Sequence, residues 1–357
     1  MIDTFIKSLT VQQQEIVSVF LAKNDSLQSS EVHSLLGAVN KDRALVTVKR
    51  LLSEMTEAGL LVVSGSGRST RYTLTEFGRL VADIDPTVYC AVEPDKRFGL
   101  HQYSISIWSA VSEAIFTKQE QGQLDEATIE YRKRTTDLPA EIAQKELERL
   151  VIELSWKSSK IEGNTYTLLD TEKLILENKT ASGHDRKETQ MILNHKDAFL
   201  YLRSHLKTYQ KLTRRNLEEL HTILVNKLGV DTGLRRKPVG VTGSIYRPID
   251  NYYQISEAVD DLIKAVNRAT SPHLKALLVL LGISYIQPFT DGNKRTARLM
   301  ANALLLSHRC APLSYRSVDE NEYREAMLVF YETNSAMSLK KIYIEQYKFA
   351  AINYAVK

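Results

Sequence analysis

Almost everything beyond residue 100 follows a helical period. Apolar residues recur at three- and four-residue spacing over about 104–133, 139–160, 169–178, 186–207, 213–228, 254–269, 272–286, 292–308, 319–332 and 338–353. A chain of 357 residues, 43% hydrophobic and 25% charged, has enough material to bury such faces in large cores. A mainly α fold is therefore expected. No repeat of 20–50 residues stands out, which sets a solenoid aside. No apolar run approaches the ~18–20 residues of a membrane span. The N-terminus, MIDTFIKSLTVQQQE, lacks the apolar core of a signal peptide. Two cysteines, Cys90 and Cys310, exclude a disulfide framework and a four-cysteine zinc site. The expectation is a cytoplasmic protein with no membrane partner. One stretch breaks the helical pattern. Lys237 to Pro248 mixes β-branched residues with glycines and reads as a short β-hairpin. An isolated hairpin is only marginally stable, so this flap is expected to pack on something, such as a ligand.

The first 85 residues read differently. Ile16, Phe20 and Leu21 form an apolar stripe after Gln13. Ser30 is placed to cap a second helix through Leu36, which Gly37 ends. A third helix is predicted over 42–57, with Leu45, Val48, Leu51, Leu52 and Met55 on one face and Gly59 as its stop. Strands over 60–63 and 71–74 flank the tip Ser64-Gly-Ser-Gly-Arg-Ser69. Three helices and a glycine-tipped hairpin resemble a winged helix-turn-helix. Lys41, Arg43, Lys49, Arg50, Arg68 and Arg71 fall on its third helix and wing, where such folds meet DNA. DNA is thus a candidate partner through residues 41–71. Protein docking is the competing reading, because Met1–Leu80 holds nine Lys and Arg against eight Asp and Glu. That balance is thin for a phosphate binder. Asp83–Asp95, with Pro86 and Pro94, reads as a join.

The most informative segment is Gln287-Pro-Phe-Thr-Asp-Gly-Asn-Lys-Arg-Thr-Ala-Arg298. The apolar helix ending at Ile286 meets Pro288, which disfavours helix at the residue before it. Asp291 and Gly292 then open a second helix, whose first N–H groups lack intrahelical partners and suit an anion. Gly292 permits close backbone approach. Lys294, Arg295 and Arg298 add charge, and the two arginines share a face. A carboxylate beside phosphates suits Mg²⁺. The spacing alone is also compatible with an ordinary capped, solvent-facing helix.

This segment resembles the signature of the Fic family, His-Pro-Phe-x-Asp-Gly-Asn-(Gly or Lys)-Arg-x-x-Arg, at eight of its nine fixed positions. The resemblance spans about residues 100–357. It implies a Fic-type helical core and transfer of AMP from ATP to a hydroxyl of a target protein (AMPylation), the acceptor being a Ser, Thr or Tyr of a partner or of the chain itself. By the same resemblance Asp291 would hold Mg²⁺. Asn293 would meet the α-phosphate, and Gly292 to Arg295 would form the anion cradle. Arg295 would bind the triphosphate, Arg298 the γ-phosphate, and Tyr331 would lie near the adenosine. The flap, with Val239, Val241, Gly243 and Tyr246, would hold the target segment. Upstream, Ser158-Ser-Lys-Ile-Glu162-Gly163 resembles the family's inhibitory motif, (Ser/Thr)-x-x-x-Glu-(Gly/Asn). There Glu162 would compete with phosphate for the Arg298 guanidinium. The implied order is a winged helix over 1–85, a linker over 86–100 and a Fic domain with an N-terminal inhibitory helix over 101–357.

The chain departs from the signature at its first residue. Gln287 stands where the family's general base, a histidine, is expected. An imidazole titrates near ~6.5 and can take a proton at neutral pH. A carboxamide does not titrate usefully. His273 and His308 lie at the far ends of the flanking helices and offer no substitute. Two explanations fit: a designed inactive variant of an AMP transferase, or a natural pseudoenzyme that binds nucleotide. The alternative function is a non-catalytic ATP-binding regulator acting on DNA. His101, His184, His195, His205 and His221 lack metal-site spacing and read as structural.

Overall fold

The computed structural model describes residues 9–356. The chain divides into two compact units. The first takes in residues up to 117 together with 241–247 and 325–339, and the second comprises 118–240, 248–324 and 340–357.

In the first unit, α1 (Val11–Lys23) starts on a capping box. The Thr10 hydroxyl accepts from Gln13 N at 3.3 Å while the Gln13 side chain accepts from Thr10 N at 3.0 Å. α2 (Ser29–Ala38) is capped two residues earlier than Ser30 would place it: Glu31 accepts from Gln28 N at 2.6 Å. α3 (Leu45–Glu57) leads into β1 (Leu61–Ser64), which pairs antiparallel with β2 (Arg71–Leu74), Val62 opposite Thr73. Ile16, Phe20, Val32, Val48, Leu52 and Met55 make the core beneath. Lys41 and Arg43 both pair with Glu15, Arg50 with Glu54 and Arg71 with Glu31.

α4 (Glu76–Leu80) and α5 (Pro86–Cys90) follow, so the expected join contains a helical turn with Pro86 at its start. The single helix expected from 104 breaks up. Only α6 (Ile107–Ala110) and a short 3-10 turn at Glu113–Ile115 form before residue 118. Serine side chains compete here with helix formation. Ser104 and Ser106 donate to Glu76 Oε1 at 2.6 and 3.1 Å, and Ser109 donates to Ser106 O at 2.6 Å.

The β-hairpin expected over 237–248 is not formed. Among the described residues the only sheet is β1–β2. Residues 241–244 make a turn closed by Ser244 N to Val241 O at 3.3 Å, and Arg247 forms a lone parallel bridge with Gln102. Pro238 and Pro248 have no N–H for a ladder, and Gly243 O, Ile245 N and Arg247 N bond instead to Arg97, Glu332 and His101.

The helices expected after residue 138 are present to within a few residues. The second unit holds α7 (Lys118–Thr136), α8 (Ala140–Ile161), α9 (Leu168–Glu177), α10 (Arg186–Ser204), α11 (Arg214–Leu224), α12 (Tyr252–Arg268), α13 (Pro272–Ile286) and α14 (Asn293–Ser307). α15 (Glu320–Thr333) and α16 (Met337–Asn353) contribute to both units. α13 is buried from His273 to Ile286, without a polar stripe, and α14 is nearly as enclosed. A helix apolar all round belongs at the centre of a core. That places the turn between α13 and α14 against fixed elements. No described helix is long and apolar enough to cross a membrane.

Candidate active site

The turn between α13 and α14 is braced from within. Gln287 adopts a left-handed conformation (φ 51°) and ends α13. The residue is 8% exposed, and its carboxamide donates from Nε2 to Ser284 O at 2.6 Å and accepts from Asn293 Nδ2 at 2.9 Å. Asn293 also accepts from Phe289 N and donates to Phe289 O, both at 2.8 Å. Its side chain is therefore committed to the turn. Gly292 caps α14 at φ 81°, where a Cβ would be strained and would sit 3.2 Å from Val225 Cγ1. The first intrahelical bond runs from Thr296 N to Gly292 O at 2.9 Å. The amides of Asn293, Lys294 and Arg295 thus precede any helical partner, the arrangement that holds anions.

Arg235, which the sequence does not single out, and His221, expected to be structural, fix this turn. Arg235, buried, donates from Nε to Gln287 O at 2.6 Å and from its own backbone N to Pro288 O at 2.9 Å. His221 stacks on Phe289 with ring centres 3.7 Å apart, and its Nε2 lies 2.9 Å from Asp291 O. Burial, followed by the nearby Arg295 charge, outweighs that hydrogen bond and pushes the imidazole down to about 4. It is neutral at pH 7, with Nε2–H donating. Arg235 lies in the run Arg235-Arg-Lys-Pro238, where no spacing singles it out. His221 did carry a signal: Leu217, Leu220, His221 and Leu224 share the buried stripe of α11.

The two sequence motifs of the second unit meet at Arg298. Its side chain is 0% exposed. Nε donates to Ser158 Oγ at 2.9 Å, and Nη2 donates to Ser158 O at 2.8 Å and to Glu162 Oε1 at 2.9 Å. Lys294 Nζ lies 3.5 Å from the other Glu162 oxygen. Glu162 caps the C-terminus of α8, a position secured by Arg324, which donates from Nε to Ile161 O at 2.8 Å, and by the Lys157–Glu320 pair at 2.5 Å. Burial alone would raise the Glu162 carboxyl. Arg298, Lys294 and Arg295 together outweigh it and hold the group below the usual carboxylate range. Burial would likewise lower Arg298, but Glu162 keeps it protonated.

Asp291 is 64% exposed on its side chain. It accepts from Gly292 N at 2.6 Å and from Arg295 Nη2 at 3.2 Å. Among the described residues no cluster of three or more His, Cys, Asp or Glu could cage a metal. One exposed carboxylate beside an anion cradle fits Mg²⁺ shared with phosphates and water, rather than an all-protein site. Tyr331 and Tyr246 belong to the first unit. Both are buried, with rings 5.8 Å apart at 21°. Val239 and Val241 are half-buried and Gly243 is exposed.

The chain is similar in sequence and in fold to known proteins. The profile of the Fic/DOC family matches residues 211–305. Protein adenylyltransferase Fic of Nematostella vectensis is 30% identical over 174 residues, 48% of this chain and 41% of that protein. The Drosophila willistoni protein of the same name is 26% identical over 166 residues, 46% of this chain and 33% of its own. The chain thus matches less than half the length of these relatives. Among solved structures, Fic-1 from C. elegans superposes with a TM-score of 0.57 at 16% identity, covering 66% of this chain and 71% of that one. A Fic domain containing signaling protein from Bacteroides thetaiotaomicron gives 0.55 at 18% identity, covering 64% and 94%. These structures share the fold. Through residues 211–305, the chain carries a domain of the Fic/DOC family.

Proposed function

We propose that the chain is a protein adenylyltransferase of the Fic type, held inactive by Glu162 and deprived of its general base by Gln287. The observation that carries this reading is the buried Arg298 guanidinium with a carboxylate on Nη2. A guanidinium fork suits phosphate equally well. Glu162 occupies the position that a γ-phosphate oxygen would take and competes with a productive ATP pose. The free amides at the start of α14 receive phosphate oxygens, and Arg295 adds charge beside them. Asp291 would hold Mg²⁺, which when bound would neutralise phosphate charge. Gln287 sits where a base would accept the proton of the target hydroxyl. Its carboxamide keeps the turn in shape but takes no proton, and loss of a general base costs about 10²–10⁴ in rate. The target would be a protein hydroxyl presented along 239–247.

A DNA-reading role has less support, because Lys41, Arg43, Arg50 and Arg71 already have acidic partners within the chain. The test is labelling by the double variant Gln287→His/Glu162→Gly. Label from α-labelled ATP entering protein, with none from γ-labelled ATP, is the expected result. Transfer of the γ-label would mean phosphotransfer, and no transfer of either would remove the enzyme reading.

A further inference from the structure

Glu332 is a buried carboxylate of the first unit with donors on both oxygens. It is 0% exposed. Oε1 accepts from Ser244 Oγ at 2.7 Å, from Ile245 N at 3.3 Å and from Arg97 Nη1 at 3.4 Å. Oε2 accepts from Tyr89 OH at 2.8 Å, and burial together with Glu332 keeps that phenol protonated. The Glu332 carbonyl accepts from Leu100 N at 2.5 Å. Gly99 (φ 151°) passes so close that a Cβ there would collide with this carbonyl. The 97–102 stretch also touches segment 241–247 beside the carboxylate. Arg97 Nη1 donates to Gly243 O at 3.0 Å, and Arg247 N donates to His101 O at 2.9 Å. Tyr246, between them, stacks on Tyr331, the residue before Glu332.

Segment 241–247 therefore has no ladder of its own. Its shape is imposed by one acid at the end of α15 and by the chain between Tyr89 and Gln102. We propose that Glu332 is the positioning residue for segment 241–247, and that Tyr89 and Arg97 make the 86–102 stretch a structural lever on it. If that segment holds the target, as the proposed function has it, the lever sets how a target chain is presented. A carboxylate suits the task. It takes several donors at once, and in a dry site each contact is stronger than in water. A join read from sequence as a passive linker is thereby coupled to acceptor presentation rather than to nucleotide.

Amide hydrogen exchange of the full chain tests the clamp without relying on activity. In Ser244→Ala and Glu332→Ala, exchange over 241–247 should rise at least about tenfold, while 293–305 stays protected, because local opening costs less than global unfolding. Glu332→Gln, which retains acceptor Oε1, should fall between Glu332→Ala and the parent. Unchanged exchange over 241–247 in Ser244→Ala and Glu332→Gln, or an equal rise in both regions in every variant, overturns the clamp. The functional arm adds Ser244→Ala to Gln287→His/Glu162→Gly. Protein labelling should drop about tenfold while release of AMP to water holds, the split expected when acceptor presentation alone is lost. Labelling and AMP release falling together would overturn the lever. If the background transfers no AMP although local exchange rises as expected, the proposed function fails and the clamp stands.

Discussion

Glu162 precedes Arg298 by 136 residues and meets its guanidinium at 2.9 Å. The pair closes a buried positive site with the chain's own anion. Removing one partner of such a pair leaves a lone buried charge, at a cost of about 3–5 kcal/mol. Glu162→Ala should therefore lower the unfolding free energy of the nucleotide-free protein by roughly that amount, reduced by the partial exposure of Glu162. Mg·ATP should restore more stability to the variant than to the parent, because it binds the folded state. Chemical denaturation with and without Mg·ATP reads both effects. Equal stabilisation of the two chains would contradict competition at Arg298.

The same pair gives a signed pH dependence. The folded Glu162 carboxyl lies below its ordinary value. Its contribution is therefore present above about pH 4.3 and is lost as pH falls through the lowered folded value. The stability difference between the parent and Glu162→Gln should be constant near neutrality and shrink on acidification below about pH 4. Denaturation curves between neutral and acid pH check this. A difference that grows towards acid would reverse the sign.

His221 should act through its Nε2–H on Asp291 O. His221→Leu leaves that carbonyl unpaired, at about 1–3 kcal/mol, whereas His221→Gln can reproduce the donor and should cost less. The ring should remain neutral across the neutral range and take up its proton only near pH 4, as its lowered value of about 4 requires. Nitrogen chemical shifts of the imidazole report this directly, and a ring titrating near ~6.5 would contradict the buried, neutral assignment.

Gly292 is required by conformation and by access. Gly292→Ala places a Cβ at φ 81° and 3.2 Å from Val225, costing about 1–2 kcal/mol. It also adds a methyl group beside the amides offered to phosphate. Reduced stability with weaker Mg·ATP binding by calorimetry is expected. Unchanged binding would move the anion away from this helix start.

Much of this was legible in the sequence because the signals are local. Helices α8 to α16 follow from apolar period, and Pro288 and Gly292 mark the turn that carries the site. The Glu162–Arg298 contact followed only from a resemblance, since no spacing rule joins residues 136 apart. Segment 237–248 misled for a related reason. Val239, Val241 and Tyr246 have strand-forming side chains, but Gly243 O, Ile245 N and Arg247 N bond to Arg97, Glu332 and His101, which are distant in sequence. The 104–117 stretch carries a helical apolar pattern, but Ser104 and Ser106 bond to Glu76, which is distant in sequence. Arg235 left no mark at all, because what it binds are backbone carbonyls.

The central claim is that Glu162 restrains AMP transfer at a site whose base position is held by Gln287. The most direct measurement compares Gln287→His with Gln287→His/Glu162→Gly for incorporation of α-labelled ATP into protein. The account predicts label in both, rising at least about tenfold when Glu162 is removed, equivalent to at least about 1.4 kcal/mol of relieved competition. Equal labelling in the two variants would contradict it.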